Sequence, residues 1–337
     1  MKTFLAKKGV SLSAHTYFVT ALSYMALGLF SSLIVGLILK TLGERVEGLA
    51  FLTEIGTLAM SLMGPAIGVA IAYGLNAPPL VLFSAVIAGA AGSALGGGPA
   101  GSFVASVIAV EVGKMISKET KVDIIVTPFV TVTTGYVVAK FISPKISDVM
   151  VNFGELIMWA TEQRPFVMGI LVAALMGLAL TAPISSAAIA IMLGLEGLAA
   201  GAATIGCAAQ MIGFATSSFR DNGWGGWFAQ GLGTSMLQVA NIVKKPIILI
   251  PPTVAGMLLA PFGTVVWVTS NIPAGAGMGT SGFVGQIMTF ESMGFNTHTF
   301  MIIALLHFIG PALISLVLSE LLRKKGYIQP GDMKIDY

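Results

Sequence analysis

Apolar residues run in long blocks along this chain, and polar residues gather between them. The blocks cover approximately 16–40, 50–75, 79–95, 100–117, 123–142, 166–181, 183–217, 226–243, 246–269 and 298–322. Many approach the ~20 residues that carry a helix across a bilayer core about 30 Å thick. The block 183–217 is long enough to be a hairpin of two short helices, with Glu196 at its tip. One segment departs from the pattern. Between Pro144 and Pro165, Ile146, Val149, Met150, Phe153, Ile157 and Met158 recur at helical spacing, with Asp148, Asn152, Glu155 and Glu162 on the other face. This predicts an amphipathic helix over 145–163 lying in the membrane interface. The expected fold is all-α: a polytopic helical membrane protein of about 8–10 transmembrane helices. It forms one membrane-embedded domain over 1–337, with halves 16–142 and 166–322 joined by the interfacial helix.

Two glycine-rich stretches interrupt the apolar blocks, and they look alike. One runs from Gly89 to Phe103 (GAAGSALGGGPAGSF), the other from Asn271 to Phe283 (NIPAGAGMGTSGF), half a chain length apart. Close helix packing through small residues explains many of the 41 glycines. It does not explain Gly96, Gly97 and Gly98 followed by Pro99, which should not continue a helix. Irregular backbone at membrane depth is tolerated only where protein buries it or where it lines a cavity. Interrupted segments at corresponding places in two halves point to a transporter's solute site. Both stretches are therefore expected to be re-entrant or broken-helix elements facing a shared cavity, in an arrangement open to an inverted repeat.

Composition strengthens the membrane reading. Hydrophobic residues make up 55% and charged residues 10%, against about 25% charge in soluble domains. The net charge is +3 and the basic residues sit at block ends, so no basic stripe supports nucleic-acid binding. Lys2, Lys7 and Lys8 precede the first block, which is too long for a signal-peptide core and is read as the first span. Arg323, Lys324 and Lys325 follow the last block. The positive-inside rule then places both termini in the cytoplasm, with an even number of crossings. The lone Cys207 excludes an intramolecular disulfide and a cysteine metal cage, and His15, His298 and His307 show no ligand spacing. No metal and no cofactor is expected.

Polar groups inside apolar blocks are expensive and invite a functional reading. Glu54 and Glu291 are candidate coupling or substrate carboxylates, while Glu111 beside Lys114 suits a salt bridge at a segment end. The densest polar constellation runs from Cys207 to Trp227 and includes Gln210, Thr216, Arg220, Asp221 and Asn222. Amides and carboxylates bond hydroxyls, and indole faces stack on sugar C–H patches, so this mix suits a polyhydroxylated ligand. A surface loop with an aromatic belt is the competing account of Trp224 and Trp227. Gln230, Gln238 and Asn241 follow at spacings that share a helical face. The candidate substrate-binding set is Gln210, Asp221, Asn222, Asn271, Thr280, Ser281, Gly96 and Gly277, placed between the two halves. No Walker A, H-E-x-x-H or G-x-S-x-G motif occurs, and no catalytic residue is assigned.

Four motifs carry a family resemblance: TAPISSAAIA from Thr181, GAATIGCAAQMIGF from Gly201, NGWGG from Asn222 and PAGAGMGTSGFVGQ from Pro273. With them the chain resembles the second family of phosphotransferase-system EIIC membrane proteins, which includes the perfringolysin-regulator-like proteins. The resemblance implies a permease-like subunit of a bacterial plasma membrane that binds and translocates a sugar or sugar-like solute. Phosphate would come from separate IIB and IIA phosphocarrier proteins, because no phosphocarrier domain is fused here and Cys207 lies in an apolar run. A homodimer in the lipid bilayer is the expected assembly. Two alternatives stay open: a membrane regulator or sensor that does not transport, and an ion-coupled secondary transporter using an intramembrane glutamate.

Overall fold

The computed structural model describes residues 2–335 and is helical throughout. The only extended pairing among the described residues is an isolated antiparallel bridge between Gly197 and Asn271. Contacts divide the chain into two compact units, Met1–Val149 and Met150–Tyr337. Six stretches are long and apolar enough to cross a membrane, or seven when a bent pair counts as one span. The chain is thus a polytopic helical membrane protein.

In unit 1 a short helix α1 (Lys2–Lys7) precedes the long α2 (Thr16–Glu44). Helices α3 (Phe51–Ser61) and α4 (Met63–Gly74) meet at a 54° bend. Next come α5 (Pro79–Gly92) and α6 (Gly98–Ile116). Hydropathy alone reads Pro79–Ile116 as one span, but the backbone reverses inside it. Leu95 leaves the helical region, Gly96 has φ 89° and Gly98 has φ 54° with ψ −147°. Helices α5 and α6 then pack side by side, and the Ser102 hydroxyl donates to the Gly89 carbonyl at 2.8 Å. The first glycine-rich stretch is therefore the tip of a helical hairpin. With 14 residues, α5 rises only about 21 Å, short of a full bilayer core. Pro79–Ile116 is one of the six or seven apolar stretches among the described residues, and it folds as a hairpin.

Helix α7 (Asp123–Thr161) contains most of the segment expected as the interfacial helix. The segment 145–163 is helical to Thr161, but it continues α7 without a break at Pro144. Proline removes one backbone donor and bends a helix without necessarily ending it. The contact boundary falls at Val149, inside this helix, rather than in a linker.

Unit 2 is built around α10 (Gly197–Ser217), which follows α8 (Pro165–Thr181) and the seven-residue α9 (Ser186–Met192). Every residue of α10 from Ala200 to Ala215 is buried. Its run of Ala and Gly explains this, because small residues let neighbouring backbones close in. A Cβ on Gly206 would lie 2.1 Å from the Ala173 carbonyl oxygen of α8. Helix α9 packs on α8 and on the second glycine-rich stretch, so 183–217 is not a simple two-helix hairpin, and Glu196 is exposed at the start of α10.

The block 226–243 is not one helix. Helix α11 (Phe219–Phe228) runs into a π-turn, extended Thr234, a 3-10 turn and α12 (Val239–Lys244). Helix α13 (Pro246–Val266) returns against α10. The second glycine-rich stretch then forms the one-turn α14 (Pro273–Ala276), an irregular turn and α15 (Val284–Met293). The long α16 (Thr297–Lys324) closes the unit against α10 and α13.

Candidate functional site

The middle of α10 carries two polar side chains in an apolar helix, and both are bonded inside unit 2. Gln210 Nε2 donates to Thr253 Oγ1 of α13 at 2.7 Å. Its Oε1 faces the Thr181 hydroxyl at 3.4 Å, which lies 2.8 Å from the Ser235 hydroxyl. One and a half turns earlier, Thr204 Oγ1 accepts from Asn271 Nδ2 at 2.7 Å. The same amide faces Gly285 O at 3.0 Å and Thr289 Oγ1 at 3.1 Å, while Asn271 Oδ1 accepts from the Ile272 N–H at 2.8 Å. Asn271 therefore pins the start of the second glycine-rich stretch to α10 and α15.

The stretch itself lies against α10. Gly277 O accepts from the Ser186 hydroxyl at 2.7 Å, and the Thr280 hydroxyl donates to Gly231 O. A Cβ on Gly277 would sit 2.3 Å from Ser186 O, and one on Gly279 would sit 2.7 Å from the Cys207 carbonyl carbon. Gln286 Nε2 donates to Gly279 O at 3.2 Å and lies 3.1 Å from His307 Nδ1. Two atoms here have no hydrogen-bond partner: Ser281 Oγ and Gln286 Oε1, on residues 3% and 4% exposed.

A second polar cluster lies at the other end of α10. Arg323 Nη2 donates to Ser217 O at 3.1 Å, satisfying a carbonyl at the helix C-terminus, and lies 3.8 Å from the Asp221 carboxylate. Gln230, Gln238 and Asn241 form an amide chain: Asn241 Nδ2 donates to Gln238 Oε1 at 2.9 Å, and Gln238 Nε2 to Gln230 Oε1 at 2.8 Å. Asp221 and Asn222 bond the backbone of the segment that follows α16.

The structure thus brings Gln210, Asn271, Thr280, Ser281 and Gly277 around α10. Asp221 and Asn222 occupy the separate cluster at its C-terminal end. Gly96 lies on the exposed hairpin tip of unit 1. Glu54, also in unit 1, is exposed on α3 beside an open groove of about 470 Å³ lined by Thr53, Thr57, Leu58 and Ser61. Glu291 is exposed near the end of α15. Trp224 is exposed in an aromatic patch, with its ring edge-on to Phe219 at 5.1 Å. Sequence reasoning passed over Thr181, Thr204, Thr253, Thr289 and His307 as site residues. Isolated threonines in apolar helices bond their own i−4 carbonyl so readily that nothing marks them out. No group of three or more His, Cys, Asp or Glu residues among the described residues has a metal-holding arrangement. Cys207 is fully buried, and its thiol donates to Met176 O at 3.3 Å.

The side chains of this core are amides, hydroxyls and an imidazole, suited to bonding an uncharged polar molecule. No curated protein sequence matches the chain. The family pattern described as "Phosphotransferase system, EIIC" matches residues 19–335, nearly the whole chain and both glycine-rich stretches. With its apolar helices and polar core, the chain belongs to the phosphotransferase-system EIIC family of membrane proteins, the sugar-permease components of that system.

Proposed function

We propose that this subunit binds its sugar in unit 2, against α10 and the second glycine-rich turn, and passes it to a separate IIB protein for phosphorylation. The observation that carries this reading is the pair of buried, partnerless atoms, Ser281 Oγ and Gln286 Oε1. A buried polar atom without a partner costs about 1–3 kcal/mol. Ligand hydroxyls that bond these atoms recover that cost. Gln210, Asn271 and Thr280 hold the turn and α10 in place around them. The chain supplies binding and orientation, and the phosphoryl group comes from the partner.

Both termini are proposed to face the bacterial cytoplasm, with the subunit a homodimer. In unit 1, Lys8 Nζ donates to Ser117 O at 2.6 Å and pairs with Glu119. This gathers the basic N-terminal segment and the charged loop 114–123 at one end of the unit, as the positive-inside rule requires of a cytoplasmic face. Uptake and phosphorylation by proteoliposomes, over a panel of hexoses, hexitols and N-acetylhexosamines with and without phosphorylated IIB, test the reading. Accumulation of sugar phosphate only with phosphorylated IIB is expected. Saturable binding with neither uptake nor phosphorylation would replace it with the sensor reading. Uptake driven by an imposed ion gradient without IIB would replace it with the secondary-transporter reading.

A further inference from the structure

After α16 the chain turns at Gly326 and continues as a non-helical, turn-rich segment over 327–335, with a second positive φ at Gly331. Five of its backbone groups between Gly331 and Ile335 are bonded by side chains of unit 2. Asp221 accepts from the N–H groups of Gly331 at 3.0 Å and Met333 at 3.3 Å. Asn222 uses both ends of its amide, accepting from Ile335 N–H and donating to Met333 O, each at 2.8 Å. Gln238 donates to Met333 O at 2.9 Å, and Asn241 donates to Lys334 O at 2.8 Å. Three of its side chains, Ile328, Met333 and Ile335, are buried, and Ile328 and Met333 pack with Phe214 and Ile248.

We infer that residues 327–335 are a releasable strap, docked in a backbone-reading socket and closing a polar cleft at the C-terminal end of α10. Gly326, at φ +75° with open space around its α-carbon, is the turn that would serve as the pivot. The socket it covers is polar: one carboxylate and three amides, with Arg323 behind them at 3.8 Å. Release exposes groups that water can satisfy, rather than a wholly apolar core. While the strap is docked, Asp221 and Asn222 are occupied by peptide groups and closed to any other ligand. Their chemistry is that of a sugar site, so the strap regulates access to them. That last consequence, though not the strap itself, rests on the proposed sugar function.

A protease site inserted at Gly326 allows the strap to be cut after the protein has folded and been purified. The freed fragment should remain bound, leave on dilution and rebind as a synthetic 327–337 peptide. Its departure should raise hydrogen exchange over 217–241. Asn222→Ala in the protein, or Met333→Asp in the peptide, should each weaken rebinding tenfold or more. In the uncut chain, Met333→Asp should raise the same exchange. A fragment that leaves only when the protein unfolds would overturn the inference, as would one that leaves without altering exchange over 217–241. Binding of the hexose and hexitol panel is then measured with and without the strap. Strap release that leaves sugar affinity unchanged upholds the strap and removes Asp221 and Asn222 from the sugar site.

Discussion

The two glycine-rich stretches look alike in sequence and use glycine for different physical reasons. At the hairpin tip of unit 1, Gly96 and Gly98 adopt positive φ, and a Cβ on either would meet nothing within 4 Å. At these two positions glycine serves backbone conformation alone, while Gly97 between them lies close to Ser143, where a Cβ would fall 2.6 Å from the hydroxyl oxygen. In unit 2 glycine is there for proximity as well. Gly277 and Gly279 lie against Ser186 and Cys207 so closely that a Cβ would fall 2.3 and 2.7 Å from their backbones. The first stretch is a reversal whose tip is partly open, and the second is a buried turn pressed onto α10. The second carries a partnerless buried hydroxyl within the turn itself, Ser281 Oγ, with Gln286 Oε1 just beyond it, whereas beside the first the partnerless atom is Ser106 Oγ, inside α6. The contrast separates a turn that shapes the fold from a turn that builds a site.

Substitutions should divide along the same line. The largest effect is expected at Gly279, where Ala brings both the backbone clash and the strain of φ +55°. A loss of about 3–5 kcal/mol should show as failure to fold, or as a steep fall in melting temperature in detergent. Wild-type melting for Gly279→Ala would mean that the turn does not press on α10. Asn271→Ala comes next, at about 2–4 kcal/mol, because it strips partners from Thr204, Thr289 and the Gly285 carbonyl together. Thermal unfolding of the purified variant checks it, and a change under ~0.5 kcal/mol would show that the amide is dispensable. Gly96→Ala should cost only about 1 kcal/mol, and Gly96→Asn less, because strain without a clash is the whole penalty. If Gly96→Ala destabilises as much as Gly279→Ala, the comparison fails.

Much of this was legible in the sequence. Mean hydropathy of +0.90 and blocks near membrane length fix the class, and a Gly-Gly-Gly-Pro run cannot continue a helix. The ends of α7 were not legible. Pro144 marked the edge of a new segment in the sequence, yet it is absorbed within one 39-residue helix. The strap was not legible either. Residues 327–335 show no helical or alternating period, and their partners lie about a hundred positions away. Asp221 and Asn222 were expected to bind substrate, and in the structure they bond the backbone of 331–335. Composition could not say what they bond, because a peptide backbone and a sugar hydroxyl ask for the same donors and acceptors.

The most direct measurement is sugar affinity of purified Ser281→Ala beside Gly96→Ala, each paired with its melting temperature. The Ser281 hydroxyl bonds nothing within the protein. Its removal should leave the melting temperature at or slightly above wild type and weaken binding of the transported sugar by about five- to 150-fold. Gly96→Ala should do the reverse, lowering melting slightly and leaving affinity intact. Wild-type affinity in Ser281→Ala, or an affinity lost only in Gly96→Ala, would contradict a solute site at the second glycine-rich turn.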